Sequence, residues 1–168
     1  DDTAERARSF GPPVRVLETD KGSKPLALNM GDAAALHFPR LFVDADIEFD
    51  YASLRAVADR LLDSPLLCAA APELRVNLEH SSLAVRMYYS IWLRLPYVRN
   101  RMVGSGVYGL SERGRRRFEQ FPDIIGDDAF VHRICELQER ESVQRTAAGR
   151  PAFFVVTPPS NLRDLLHI

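Results

Sequence analysis

The sequence predicts one α/β domain with a mixed, mainly parallel sheet that is flanked by helices. Short apolar runs alternate with amphipathic segments through the first half of the chain, and this alternation is typical of parallel strands joined by helices. The second half is less regular, which favours a sheet that also contains antiparallel strands. With 168 residues, of which 46% are hydrophobic, the chain is long enough to bury the core of a single domain.

Caps and helix breakers set the order of the predicted helices. Ser23, Asp50 and Ser111 are residues of the kind that cap helix N-termini, and Pro25 stands in a first turn, where proline is favoured. A Gly-Pro-Pro sequence at 11–13 ends the first helix. The predicted helices cover residues 3–9, 24–36, 51–62, 82–95, 112–118 and 127–140, and Asn161 caps a last one.

The predicted strands are the short apolar runs between these helices. Leu41, Phe42 and Val43 are continuously apolar, as expected of a central strand that is buried on both faces. The predicted strands cover residues 14–17, 41–43, 66–71, 74–78, 107–110 and 153–156. Because the chain opens with a helix that no strand precedes, we expect residues to be missing at its N-terminus, and we leave open whether its C-terminus is complete.

Charge and composition exclude several classes of protein. The 22 basic and 23 acidic residues give a net charge of −1, which offers no global electrostatic basis for binding nucleic acid or an acidic membrane. No apolar run approaches the roughly 18–20 residues that span a bilayer, and the sequence contains no signal peptide. Cys68 and Cys135 lie in apolar surroundings, so we expect free, buried thiols and a cytoplasmic protein, with a disulfide as the alternative.

Two carboxylates follow the predicted strand at 41–43, as Asp44-Ala45-Asp46. In open α/β sheets, ligands bind at the carboxyl ends of strands. Carboxylates at alternate positions there can hold one hard cation that bridges to substrate phosphates. The motif therefore predicts a site for Mg²⁺ or Mn²⁺, although a polar strand end with helix-capping acids would give the same pattern.

Two later motifs suit a reaction centre. Gly126-Asp127-Asp128 begins a predicted helix, where adjacent acids also complement the helix dipole. The functional interpretation is a carboxylate base that takes a proton from an attacking hydroxyl. Gly104-Ser105-Gly106 lets the backbone approach a ligand closely, or is a plain turn before the strand at 107–110.

Less specific features complete the set of candidates. Lys24 and Asn29 lie at the start of a predicted helix and suit contacts to phosphate or ribose, although solvated surface positions are the default. Trp92 lies in a segment that mixes aromatic residues with arginines. Core packing is its favoured role, and the hypothesis beside it is peripheral contact with the inner face of a membrane through residues 87–97.

In order and spacing, these motifs resemble the inverting GT-A glycosyltransferases of family 2, which include cellulose and hyaluronan synthases. The resemblance covers most of the chain. It divides the chain into a nucleotide-sugar-binding half at 1–50 and an acceptor-binding half at 51–168, on a Rossmann-like GT-A fold. Residues 1–7 resemble the helix after the family's first strand, 22–31 its Gly-Lys-x-x-Ala-Leu-Asn-x-Gly segment, 42–46 its Leu-Asp-Ala-Asp motif, 104–108 its acceptor-side segment and 126–131 its catalytic acid pair.

The resemblance implies that a sugar moves from a UDP- or GDP-sugar to a saccharide or lipid-linked acceptor, as in the synthesis of cell-envelope polysaccharides. It implies that Asp128 is the base and that Asp127 supports it. The residues that it assigns to the nucleotide-sugar are Lys24, Asn29, Asp44, Asp46, Gly104, Ser105 and Gly106, and its metal ligands are Asp44, Asp46 and His167.

The sequence also departs from the family, and two other classes stay open. The family's first strand and acidic loop do not precede Asp1, and the Gln-x-x-Arg-Trp motif of processive members does not occur. A phosphotransferase of the haloacid-dehalogenase type would use Asp44 as nucleophile and Asp46 as acid and base, with Asp127 and Asp128 as metal ligands. The third interpretation is a binding domain that keeps the fold without turnover.

Overall fold

A computed structural model describes residues 2–99, 104–124 and 126–167 of the chain. Within these ranges, six strands form a mixed sheet. The strands are β1 (Arg40–Val43), β2 (Glu48–Phe49), β3 (Ala69–Val76), β4 (Val107–Leu110), β5 (Arg140–Val143) and β6 (Phe153–Val156). The helices are α1 (Thr3–Ser9), α2 (Lys24–Ala34), α3 (Tyr51–Asp63), α4 (Leu83–Trp92), α5 (Pro96–Arg99), α6 (Glu112–Arg115), α7 (Asp127–Ile134) and α8 (Leu162–Leu165), with a 3₁₀ turn at Leu137–Glu139.

The longest strand, β3, organises the sheet. On one side it pairs antiparallel with β4, which pairs antiparallel with β1. On the other side it pairs in parallel first with β5, through residues 69–72, and then with β6, through residues 73–76. Strand β2 adds antiparallel to β6. The predicted mixed sheet is therefore confirmed.

The prediction that this sheet is mainly parallel is wrong. Among the described strands, three of the five pairings are antiparallel. The cause is the position of β4, which lies between β1 and β3 and runs opposite to both. Alternation of strands and helices in the first half of the chain predicted parallel strands, and it could not show that a later strand lies between β1 and β3.

The core lies on both faces of the sheet, because alternate residues of β3 point to opposite sides. Ala69 and Ala71 pack in one buried cluster with Val131 of α7 and with Cys135, which directly follows that helix. Ala70 packs in the other cluster, which contains buried side chains of α3 such as Val57. Small side chains along β3 let both helices approach the sheet closely. The predicted arrangement of helices on both sides of a sheet is confirmed.

Local sequence signals account for most of the helices. Four predicted caps accept a hydrogen bond from a backbone N–H of the helix that follows: Ser23, Asp50, Ser111 and Asn161. A fifth predicted cap, Asp2 before α1, makes no such bond and instead pairs with Arg6. Pro96 separates α4 from α5, since proline disfavours helical geometry in the residue before it. None of the described helices has the length and hydropathy needed to cross a bilayer.

Several predicted elements differ in the structure. Residues 14–17 form no strand, and the two strands predicted at 66–71 and 74–78 are one strand, β3. The helix predicted over 127–140 ends at Ile134, and residues 140–143 form β5 instead. This strand reads Arg-Glu-Ser-Val and lacks an apolar run, so its pairing with β3, not its own pattern, gives it strand geometry.

Candidate functional site

The Asp-x-Asp motif leaves the carboxyl end of β1, as the sequence predicted. The backbone N–H of Asp44 donates to the carbonyl of Gly106 over 2.7 Å, which anchors the strand end to the loop before β4. The Asp46 side chain is exposed, and within the described residues it makes no hydrogen bond or ion pair. Asp46 lines both of two adjoining cavities, of about 590 Å³ and about 460 Å³. It therefore stands where the two cavities meet.

The acid pair lies in the first turn of α7, after Gly126, whose φ of 87° is left-handed. Asp127 is 7% exposed, and its carboxylate has a partner on each oxygen. Tyr108 of β4 donates its hydroxyl to Oδ2 over 2.7 Å, and Nζ of Lys24 lies 2.8 Å from Oδ1. A buried carboxylate is tolerated because such partners replace its lost hydration.

Lys24 joins the two acidic motifs. Its ammonium lies 2.8 Å from Oδ1 of Asp44 and 2.8 Å from Oδ1 of Asp127, although these acids are far apart in the sequence. The position of Lys24 at the N-terminus of α2, after the Ser23 cap, aims the side chain across the end of β1. The structure thus brings together three of the residues that the sequence singled out separately.

The loop at 104–106 holds both motifs through backbone atoms. Its three residues all have left-handed φ values, of 133° at Gly104, 63° at Ser105 and 101° at Gly106. The N–H of Ser105 donates to Oδ2 of Asp128 over 2.7 Å, and the carbonyl of Gly106 accepts from Asp44. A Cβ atom at Gly104 would lie 2.5 Å from Cβ of Asp128. Glycine is therefore required at 104 both by conformation and by space.

The electrostatics of the site follow from these contacts. Partial burial lowers the pKa of Lys24, but hydrogen bonds and charges from Asp127 and Asp44 outweigh burial and leave the pKa above its ordinary value. Burial, and then the hydrogen bond to Asp127, raise the pKa of Tyr108 far above the usual range. Lys24 thus stays charged and Tyr108 stays a hydrogen-bond donor at neutral pH.

The oxygen ligands at this strand end fit a hard divalent cation. Mg²⁺ is commonly held by one or two carboxylates together with substrate phosphates. Asp46 is exposed at the junction of the cavities, and Asp44 is half-buried beside it. Within the described residues, no three His, Cys, Asp or Glu side chains form a group that could hold a metal by themselves. The two aspartates would consequently need ligand oxygens to complete the coordination.

Two residues predicted for the site are not brought into it. The Asn29 amide donates to the backbone carbonyl of Phe121 over 3.1 Å and accepts from the backbone N–H of Phe121 over 2.8 Å. The amide is therefore bound to the backbone and does not face a ligand. His167 is exposed beyond the end of α8 and does not complete a metal-binding group with Asp44 and Asp46 in the described part of the chain.

Tyr108 is the site residue that the sequence did not identify. The sequence predicted it as part of a strand, where an aromatic residue is expected to pack in the core, and the resemblance included it in the acceptor-side segment without giving it a role. It does pack there, 2% exposed and stacked on Phe42 at 5.1 Å between ring centroids. A signal existed, however, because a buried tyrosine hydroxyl usually finds a hydrogen-bond partner. That partner is Asp127.

Comparison of the chain with protein-family models, with curated proteins and with solved structures found no match. The function must therefore be argued from the residues of this chain and from their geometry.

Proposed function

We propose that the chain belongs to a metal-dependent inverting glycosyltransferase, which moves a sugar from a nucleoside-diphosphate donor to an acceptor hydroxyl. The observation that carries this proposal is the meeting of Asp44 and Asp127 on the ammonium of Lys24, at 2.8 Å each. This contact places the candidate metal motif beside the acid pair that contains the candidate base. A reaction that both releases a diphosphate and deprotonates an acceptor needs these two functions side by side.

Asp44 and Asp46 are the residues that would hold Mg²⁺ or Mn²⁺ together with oxygens of the donor diphosphate. When bound, the ion supplies neutralisation of the charge that develops on the departing diphosphate. Lys24 would add a second positive charge at the same place, next to Asp44.

Asp128 is the base in this proposal. Its Oδ2 accepts the N–H of Ser105 and its Oδ1 accepts the N–H of Ala129, each over 2.7 Å. These bonds fix the carboxylate, and each oxygen keeps a second lone pair for the acceptor hydroxyl. The hydroxyl oxygen bonds to the anomeric carbon as its proton passes to Asp128. The bond from that carbon to the diphosphate breaks, and its electron pair leaves with the nucleoside diphosphate.

The cavities on either side of Asp46 suit a donor and an acceptor. The larger cavity lies between α2 and β1 and includes Lys24 and Asp44. The smaller one includes Ser105 and is walled by Tyr89 and Trp92, whose aromatic rings can pack against the apolar face of a sugar. A single displacement at the junction would invert the anomeric centre. We place this activity in the cytoplasm, where the free thiols of Cys68 and Cys135 stay reduced.

The geometry gives less support to the phosphotransferase interpretation. In that mechanism Asp127 would be a metal ligand, yet its carboxylate is buried and is held by Lys24 and Tyr108, whereas Asp46 is exposed beside the cavities. An assay with a phosphomonoester, such as p-nitrophenyl phosphate, separates the two mechanisms. Turnover that Asp44→Asn abolishes would support phosphoryl transfer and overturn the proposal.

Calorimetric titration of the protein with UDP and with GDP, each with and without Mn²⁺, tests the proposed function. We expect metal-dependent binding of one nucleotide, and we expect Asp46→Asn to abolish it because Asp46 has no structural partner in the described residues. The matched control is Asp123→Asn, an exposed aspartate outside the site. Failure of a folded protein to bind either nucleotide would contradict the proposal.

A further inference from the structure

Helix α4 is apolar on two opposite faces, which is unusual for a helix at a protein surface. Its inner face contributes the fully buried Val85, together with Tyr89 and Trp92 in the wall of the smaller cavity. Its outer face carries Leu83, Met87 and Ile91, which are 74%, 59% and 64% exposed. Each of these residues is four positions after the one before it, so the three side chains form one stripe along the helix.

The apolar surface continues beyond this stripe. Tyr88 and Leu95 add exposed side chains next to it, at 46% and 41%. Helix α8 packs against α4 and contributes Leu162 and Leu166, at 41% and 76% exposed. Single exposed apolar residues are normal, whereas a contiguous group marks a surface that meets another apolar phase or partner.

The segment that contains this stripe is basic. From His80 to Ser111 the sequence contains four arginines and no aspartate or glutamate. Arg94 and Arg99 follow α4 and are exposed. In the rest of the chain acidic and basic residues are mixed, so this segment differs from its surroundings. The exposed acids nearest to this segment are Glu79, which precedes it, and Asp164 of α8, which is next to Arg163. Arginines therefore outnumber acids beside the exposed apolar side chains, and this combination matches the chemistry of an anionic lipid surface.

We propose that the outer face of α4 docks the protein on an anionic lipid surface, with Leu83, Met87 and Ile91 inserted among the lipids. Aromatic side chains such as Tyr88 prefer the level of the headgroups. Arg94 follows the C-terminal end of α4 and would contact lipid phosphates. The inner face of the same helix walls the smaller cavity, so docking would bring that cavity and Asp46 close to the lipid surface. The proposal concerns binding alone and does not rest on the proposed enzymatic activity.

Vesicle flotation of the full chain tests the inference. The probes are vesicles of phosphatidylcholine with about 30% phosphatidylglycerol, and vesicles of phosphatidylcholine alone. We expect the protein to float with the anionic vesicles and to be released by high salt, which screens the arginines. We expect Ile91→Asp to weaken partitioning by about tenfold or more, because it puts a charge into the inserted face.

Matched controls separate lipid contact from general effects of substitution. Leu62 of α3 is 64% exposed, as Ile91 is, so Leu62→Asp makes the same chemical change on another surface. We expect Arg94→Glu to weaken flotation. We expect Arg116→Glu, at an exposed arginine that directly follows α6, to leave it unchanged. Thermal unfolding of each variant shows whether it is folded.

Three results would overturn the inference. The first is that the folded protein floats with neither type of vesicle. The second is that Ile91→Asp and Leu62→Asp have equal effects on flotation. The third is that sedimentation in solution shows a dimer that Ile91→Asp dissociates, since a second copy of the chain would then cover the stripe.

Discussion

Lys24 and Asp127 form an ion pair of 2.8 Å in which the carboxylate is almost fully buried and the lysine side chain is half exposed. The pair links the N-terminus of α2 to the first turn of α7, and through Asp44 it also reaches the end of β1. Lys24 is therefore both a structural clamp and a member of the candidate site.

Replacement of this lysine by methionine is expected to destabilise the fold. Lys24→Met keeps the aliphatic stem but leaves Asp127 with one partner fewer, and we expect a loss of about 1 kcal/mol, since the lysine is half exposed and screened. Chemical denaturation measures this loss. Lys21→Met, at an exposed lysine, is the control and should have no effect.

The pH dependence of that difference is a second check on the same pair. The pKa of Lys24 is raised in the folded state, so its contribution is complete below the ordinary lysine value of 10.5 and disappears as pH rises through the folded value. The stability of wild type and Lys24→Met should therefore converge at strongly alkaline pH. A gap that persists unchanged there would contradict this account of the pair.

Loss of the Tyr108 hydroxyl should cost more than loss of an exposed one. Tyr108→Phe removes a donor from the buried carboxylate of Asp127, and we expect about 1–3 kcal/mol of destabilisation in urea unfolding. Tyr88→Phe makes the same change at a hydroxyl on the surface, where water replaces the lost contact. Equal effects of the two substitutions would show that the bond to Asp127 contributes nothing.

A methyl group at position 104 should displace the side chain of Asp128, the proposed base. Gly104→Ala forces a side chain into a φ of 133° and against Asp128, and we expect destabilisation of about 1–3 kcal/mol. It should also slow release of nucleoside diphosphate from the donor, because Asp128 must move. Gly22→Ala is the matched control, since nothing lies within 4 Å of a Cβ built there. If Gly104→Ala had normal stability and turnover, the conclusion that only glycine fits at position 104 would be wrong.

Asp128→Asn should separate chemistry from donor binding. The amide oxygen can still accept from Ser105, although the amide NH₂ group cannot accept from Ala129. We therefore expect the loop to keep its place while turnover falls by about 10²–10⁴-fold for loss of the base. Metal-dependent nucleotide binding should be unchanged in calorimetry. Asp123→Asn should retain full turnover. If Asp128→Asn turned over normally, another residue would have to be the base.

Local signals were enough to predict the separate parts of the site. Asp44 and Asp46 end a short apolar strand, and Asp128 opens a helix, so each position followed from patterns within a few residues. The contact between Lys24 and Asp127 did not, because it depends on where β4 enters the sheet. The position of β4 in the sheet brings together segments that are far apart in the sequence, and no local pattern specifies it.

Asn29 shows a different limit of sequence reasoning. Its amide can bind a nucleotide or a backbone segment with the same donor and acceptor, and its spacing from Lys24 suits either. The structure assigns it to the N–H and carbonyl of Phe121. Strand β5 shows a third limit, since a charged sequence can form a strand when a neighbour such as β3 supplies all of its pairing.

Ser105 holds Asp128 through its backbone N–H, and its side chain lines the smaller cavity without taking part in that contact. Both native cysteines are buried. Burial raises the pKa of the Cys68 thiol above its ordinary value, and it raises the pKa of the Cys135 thiol to about 12. Ser105→Cys would therefore give one accessible thiol in a protein whose own thiols are shielded from labelling reagents. A fluorophore attached there would report, from inside the cavity, when a ligand arrives and how fast it leaves.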